Sequence, residues 1–215
     1  MAAFDLQEQE QLDELKDWWR KYGTLVTAGV VILAVAVVGT TGWRWYQASR
    51  AAQASAVYGA LVQASNAKDV AKVRQASGEL LAGYDGTLQA DLGALLASKA
   101  EIEANEPKAA RTKLEWVVAH AAEPALRDLA RLRLAGLLLD EKAYDDALKA
   151  IEAAPSDAFA ARFADLRGDI HVAKGSVADA RTAYKQALDL LAKEEQGMAQ
   201  YKSFVELKLE ALGEA

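Results

Sequence analysis

The chain has 215 residues, of which 26% are charged, with a formal net charge of −6 and no cysteine. The first 46 residues carry four basic and six acidic side chains, which leaves a net charge of −4 for residues 47–215. An acidic chain without basic stripes does not suit nucleic-acid binding, which depends mainly on the neutralisation of phosphates by Lys and Arg.

The first predicted elements are a short acidic segment and a hydrophobic helix. Residues 1–21 contain six carboxylates, and Leu12, Leu15 and Trp19 share one helical stripe, which predicts a short amphipathic helix. The run from Tyr22 to Trp43 is uncharged. As a helix of about 33 Å it can cross a hydrocarbon core of about 30 Å. We predict a transmembrane helix over residues 22–46, with interfacial anchors at Trp18, Trp19, Tyr22, Trp43, Trp45 and Tyr46.

Two other interpretations of this run are less consistent with the sequence. A buried core helix would not need aromatic clusters at both ends of a run of this length. A cleaved signal peptide has a basic leader, a shorter apolar region and a nearby cleavage site, whereas this leader is acidic. The pattern therefore favours an uncleaved membrane anchor.

Flanking charges give only a slight preference for one orientation. Three basic residues precede the span and two follow it: Lys16, Arg20 and Lys21 before, Arg44 and Arg50 after. Positive charge is enriched on the cytoplasmic side, so the count favours a cytoplasmic N-terminus and an exported C-terminal domain. A C-terminal domain that faces the cytoplasm remains open.

Residues 47–215 are predicted to form one all-α domain. The segment is rich in Ala, Leu, Glu, Lys and Arg, which favour helices, and it lacks the period-two alternation of strands. Its three prolines, Pro107, Pro124 and Pro155, lie between helix-periodic segments, where helix breakers are expected.

A repeat emerges when three segments are aligned on Ala110, Ala147 and Ala180, which are 37 and 33 residues apart. The aligned columns hold small residues twelve positions earlier (Ser98, Ala135, Gly168), turn residues three positions earlier (Pro107, Tyr144, Val177), bulky residues four positions later (Leu114, Ile151, Tyr184) and smaller ones seven positions later (Val117, Ala154, Ala187). This pattern predicts a tetratricopeptide-repeat-like α-solenoid, because antiparallel helices cross closely where a small residue faces a bulky one. Residues 47–85 have helical texture without the pattern and are expected to form an atypical first pair, and residues 194–215 to form a C-terminal capping helix.

The order of these features resembles the YfgM family of bacterial inner-membrane proteins. The matching motifs are Trp43-Arg44-Trp45-Tyr46, Leu132-Arg133-Leu134-Ala135, Leu166-Arg167-Gly168-Asp169-Ile170, Lys174-Gly175 with Ala180, and Leu207-Lys208-Leu209. The resemblance implies a cytoplasmic N-terminus and a repeat domain in the periplasm. It also implies association with Sec translocon subunits and with a membrane-anchored, prolyl-isomerase-like chaperone, in the handling of newly exported proteins.

No catalytic or cofactor-binding constellation is apparent. His120 and His171 are far apart in sequence, and neither has a close metal-ligand partner. The candidate protein-binding residues are Trp116, Arg162, Asp165 and Asp169. Trp116 is either a core residue or, if exposed, a binding hot spot. The other three are expected on the inner face of one repeat, where the two carboxylates would repel a C-terminal carboxylate ligand.

Two functions remain open at this stage. The first is a membrane-anchored scaffold that assists export and periplasmic chaperoning at the Sec translocon, with nascent or unfolded exported proteins as further partners. The second is a cytoplasm-facing adaptor that recruits soluble partners to the membrane. A concave repeat surface suits both, because it can hold an extended peptide or a partner helix.

Overall fold

The computed structural model describes residues 2–193 and 198–213, with side chains from residue 11 onward. Within these ranges the chain contains helices and no strand, which confirms the predicted all-α class. The helices are α1 (Ala2–Asn66), α2 (Val70–Gly83), α3 (Leu88–Glu103), α4 (Pro107–His120), α5 (Pro124–Asp140), α6 (Tyr144–Ala150), α7 (Asp157–Ala173), α8 (Val177–Leu191) and α9 (Ala199–Glu210).

The chain divides into two compact units, Met1–Arg50 and Ala51–Ala215. The boundary lies four residues beyond the predicted one, and α1 contributes to both units. In the first unit the apolar side chains are exposed: 71% of Leu25, 70% of Ile32 and 72% of Val38. Among the described residues α1 is the one helix long and apolar enough to cross a membrane. Three of the six carboxylates of the predicted N-terminal amphipathic segment belong to residues 1–10, whose side chains lie outside the described part.

In its described part, the second unit contains four helix pairs joined by the same three-residue turn. In each turn one residue has a positive φ of 56–78°: Lys68, Asn105, Lys142 and Gly175. The next residue donates its backbone N–H to a carbonyl five positions earlier: Asp69 to Ala64, Glu106 to Glu101, Ala143 to Leu138 and Ser176 to His171, at 2.8–2.9 Å. This is the Schellman arrangement, which satisfies the last carbonyls of the first helix and reverses the chain.

The first of these pairs, residues 51–66 of α1 with α2, follows the register more closely than the sequence pattern indicates. Five residues after Lys68, the positive-φ residue of its turn, stands Val73, the equivalent of Ala110, and it is fully buried. Leu61, twelve residues before Val73, and Leu80, seven after it, are also fully buried. An alignment on alanine does not detect this pair because a valine occupies the central position.

The predicted columns are confirmed at the other three pairs, with one correction. Pro107, Tyr144 and Val177 each begin a helix, and the three central alanines are fully buried. The prediction for Ala154 was wrong, because α6 ends at Ala150 and Ala154 lies exposed in the following loop. The loop contains Pro155, and the residue before a proline is disfavoured in helical conformation.

Among the residues that the structure describes, three apolar clusters fill the second unit and connect neighbouring pairs. One joins residues 51–66 of α1 to α2 and α3, the next extends from α3 to α7, and the last joins α7, α8 and α9. Because each cluster is shared between successive helices, the unit is a solenoid whose stability comes from nearest-neighbour packing.

Candidate protein-binding site

The candidate anchors of the membrane helix are all exposed. Trp18 lies 5.7 Å from Tyr22 between ring centroids, and Trp43 lies 5.8 Å from Tyr46. About 32 Å separates Tyr22 from Trp43 at the α-helical rise. The two aromatic clusters therefore have the spacing of the two interfaces of a bilayer.

The predicted binding residues Asp165 and Asp169 lie one turn apart on α7 and face the terminal helix α9. Asp165 is 7% exposed and Asp169 is partly buried. Lys208 of α9 donates to Asp165 Oδ1 and to Asp169 Oδ2, both at 2.8 Å. A single ammonium thus bridges both carboxylates and offsets one of their two negative charges, and such charge-assisted hydrogen bonds are among the stronger ones in proteins.

Two tyrosine hydroxyls complete this cluster. Tyr201 of α9 donates to Asp165 Oδ2 at 2.9 Å, and Tyr184 of α8 donates to Asp169 Oδ1 at 2.7 Å. Burial raises the pKa of Tyr184 far above its ordinary range, and its hydrogen bond to Asp169 raises the pKa further. Burial and the charge of Asp165 raise the pKa of Tyr201 in the same way. Both hydroxyls therefore stay protonated and act as donors.

The other two candidate residues lie apart from this cluster. Arg162 is exposed, with its guanidinium carbon 5.9 Å from the centre of the Phe159 ring. Trp116 is partly buried, stacks on His120 at 4.7 Å between centroids, and packs against the first two apolar clusters. The structure thus brings Asp165 and Asp169 together and separates Arg162 and Trp116 from them.

Sequence reasoning missed Lys208, which holds the cluster together. Lys208 is 43 residues from Asp165, and no local pattern pairs them. The available signal was a pair of carboxylates four residues apart on an inner helix, followed by a terminal helix that carries a lysine between two leucines.

The predicted capping segment, residues 194–215, is described except for 194–197 and 214–215, and the described part contains α9. The outer face of α9 is apolar. Phe204 is 54% exposed and Leu207 is 63% exposed, with Gln200 and Ser203 beside them. Terminal helices of repeat proteins usually present a polar outer face to solvent. The outer face of α9 is therefore more apolar than that of a helix that only shields the end of the solenoid from water.

Two further buried carboxylates, Asp91 and Glu101, lie on α3. Glu101 is fully buried, neither of its oxygens accepts a hydrogen bond, and Arg74 Nε lies 3.7 Å from Oε1. Burial raises the pKa of Glu101 and that of Asp91. Among the described residues no group of His, Cys, Asp or Glu has the arrangement of a metal site.

Comparison with known proteins identifies a matching domain family and several relatives of similar length. The profile of the tetratricopeptide repeat-like domain matches residues 16–214. The chain is 30% identical to an ancillary SecYEG translocon subunit of Haemophilus influenzae, over 93% of this chain and 98% of the relative. It is 28% identical to the protein of the same name in Neisseria gonorrhoeae, over 99% and 100%. The Escherichia coli protein of that name is 27% identical over 83% and 85%.

Proposed function

Since the chain belongs to the YfgM family of tetratricopeptide repeat-like proteins, we propose that it is a membrane-anchored interaction subunit of the Sec translocon. It is a single-pass protein of the bacterial inner membrane, and it acts by binding partners rather than by catalysis. Relatives of matching length carry the name of ancillary SecYEG translocon subunits, and the match includes the hydrophobic helix as well as the repeats.

The observation that carries this proposal is the exposed apolar surface of α1 between residues 22 and 43, in the same chain as a helical-repeat unit. In a bilayer, lipid hydrocarbon covers such a surface, so the fold does not need to bury these side chains itself. The anchor confines the repeat unit to the membrane plane and thereby raises its effective concentration beside a membrane-embedded channel.

The proposed orientation is a cytoplasmic N-terminus and a periplasmic repeat unit. The slight excess of basic residues before the span supports it. Reporter fusions after residue 215 test it directly: one reporter enzyme is active only in the periplasm and another only in the cytoplasm. Activity of the periplasmic reporter alone is expected. Activity of the cytoplasmic reporter alone would instead support the adaptor that recruits soluble partners.

In the periplasm the repeat unit assists newly translocated proteins and docks a membrane-anchored, prolyl-isomerase-like chaperone. The exposed Phe204 and Leu207 of α9 support a contact with another protein, because large apolar side chains in one patch commonly mark such sites.

Photo-crosslinking in secreting cells tests the partners. A photoreactive residue at Leu33, which is 68% exposed in α1, is expected to capture translocon subunits, and one at Leu207 to capture the chaperone or a nascent chain. The same residue at Thr112, which is exposed on α4 rather than on α1 or α9, serves as the control and is expected to capture neither. Absence of translocon subunits from the Leu33 products would refute the association with the channel.

A further inference from the structure

The terminal helix α9 takes the place that the first helix of a fifth repeat would occupy. It follows α8 and joins the apolar cluster formed by α7 and α8. Its connection to α8 covers residues 192–198, whereas each turn within a pair has three residues. Val205 is the one buried residue among the described residues of α9, whereas α7 has six. α9 is therefore held by Val205 with partly buried neighbours such as Tyr201 and Leu209, by the bonds of Lys208 and Tyr201, and by Arg181 of α8, which donates to the Gly213 carbonyl at 2.6 Å.

Removal of α9 would expose both carboxylates to water without their present partners. Asp165 would lose both Lys208 and Tyr201, and Asp169 would keep only the hydroxyl of Tyr184. A helix that covers them again without a cation would bury unpaired carboxylates, which is costly. Any helix that replaces α9 must therefore supply a positive charge at the position of the Lys208 ammonium.

We infer that the α7–α8 surface is a binding site for a lysine-bearing amphipathic helix of another protein, and that α9 is its internal, competing occupant. This inference rests on the proposed function, because it names the ligand class for the interaction role proposed above. The chain's own helix defines the preference of the site: an ammonium between Asp165 and Asp169, with apolar side chains in the positions of Val205 and Leu209.

Competition within the chain determines when the site is available. A segment tethered by a short linker has an effective concentration in the millimolar range. A partner helix therefore displaces α9 only if it binds more tightly or is itself concentrated at the membrane. The site is closed to weak ligands in the isolated protein.

A labelled peptide with the sequence of residues 198–213 provides the probe, and the full chain in detergent micelles provides the receptor. Fluorescence anisotropy is expected to give a Kd at least tenfold lower for Lys208→Ala than for the unaltered chain, because the internal competitor is weakened. Lys202→Ala is the matched control. This lysine lies on the same helix, and its ion-pair partner among the described residues is Glu206, 4.0 Å away, so the variant should bind the peptide like the unaltered chain. A peptide with alanine in place of Lys208 should not bind.

Hydrogen exchange of the unaltered chain gives a second measurement that needs no variant. Saturating peptide is expected to accelerate exchange of the α9 amides at least tenfold while the α7 amides stay protected. Equal binding of both peptides, equal Kd for Lys208→Ala and the unaltered chain, or unchanged protection of α9 would overturn the inference. These measurements contain no translocon, so their failure leaves the crosslinking test of the proposed function unaffected.

Discussion

The crossing of α7 and α8 predicts that a single added methyl group will destabilise the repeat unit. A Cβ built on Gly168 would lie 2.9 Å from Cζ of Tyr184 and still closer to its Cδ1 and Cε1. Ordinary carbon–carbon contacts are about 3.5–4.0 Å. The ring cannot move aside easily, because Tyr184 is 3% exposed and its hydroxyl is bound to Asp169. Gly168→Ala therefore forces the two helices apart.

The magnitude follows from two opposing effects. Overpacking of a close crossing costs about 1–3 kcal/mol, and the upper half of that range applies because the ring is fixed. Replacement of glycine by alanine within a helix contributes about 1 kcal/mol in the other direction. The expected net change is a loss of about 1–2 kcal/mol in the free energy of unfolding.

Gly136→Ala is the matched control. Gly136 also lies within a helix, α5, but a Cβ there would meet no atom within 4 Å. This variant should gain up to about 1 kcal/mol from helix propensity alone. Thermal unfolding of the full chain in micelles, followed by circular dichroism at 222 nm, should separate the two variants by roughly 5–10 °C. Equal upward shifts of both midpoints would refute the close-crossing argument.

Three further predictions use the same unfolding measurement. Ala180→Leu should lower the free energy of unfolding by about 1–3 kcal/mol, because it overpacks a fully buried position. Ala178→Leu, on the exposed side of α8, should change the unfolding midpoint little. An unchanged midpoint for Ala180→Leu would show that the repeat register is wrong. Asp128→Ala should cost about 1.5–3 kcal/mol in the free energy of unfolding, because this buried carboxylate accepts hydrogen bonds from both the backbone N–H (2.8 Å) and the hydroxyl (2.7 Å) of Ser156 at the start of α7. A loss below 0.5 kcal/mol, on the order of an exposed substitution, would show that these hydrogen bonds do not stabilise the fold. Burial raises the pKa of Glu101, so the folded chain binds this proton more tightly than the unfolded chain, and the contribution of Glu101 to stability falls as pH rises above 4.5. Glu101→Gln should therefore raise the unfolding midpoint at pH 7 but not at pH 4. An equal effect at both pH values would exclude this titration as the cause.

Local features of the sequence were sufficient for the membrane helix and for most of the repeat register. An uncharged run of sufficient length with aromatic residues at both ends predicts a spanning helix whatever the rest of the chain does, because the bilayer sets the length. The buried alanines and the helix starts of the last three pairs follow from spacing within 37 residues, because helical periodicity is a local property.

The first pair and the early end of α6 were less predictable from the sequence. Val73 takes the place of an alanine at the centre of its pair and is accommodated because Leu61 and Leu80 pack around it. Ala154 falls outside a helix because α6 has only seven residues before the loop that contains Pro155. The first outcome depends on how neighbouring helices pack, which no single segment encodes, whereas the second follows from Pro155, a local signal that the alignment on alanine does not use.

Only the tertiary structure determined the candidate site. The sequence alone suggested Asp165 and Asp169 as neighbours on one helix face, with Arg162 beside them. The fold instead seals them beneath α9 with Lys208, 43 residues from Asp165 along the chain, and leaves Arg162 exposed. The physical reason is burial: two carboxylates covered by a helix require a cation, and the cation that reaches them is set by how α9 packs on α7 and α8 rather than by its distance in sequence.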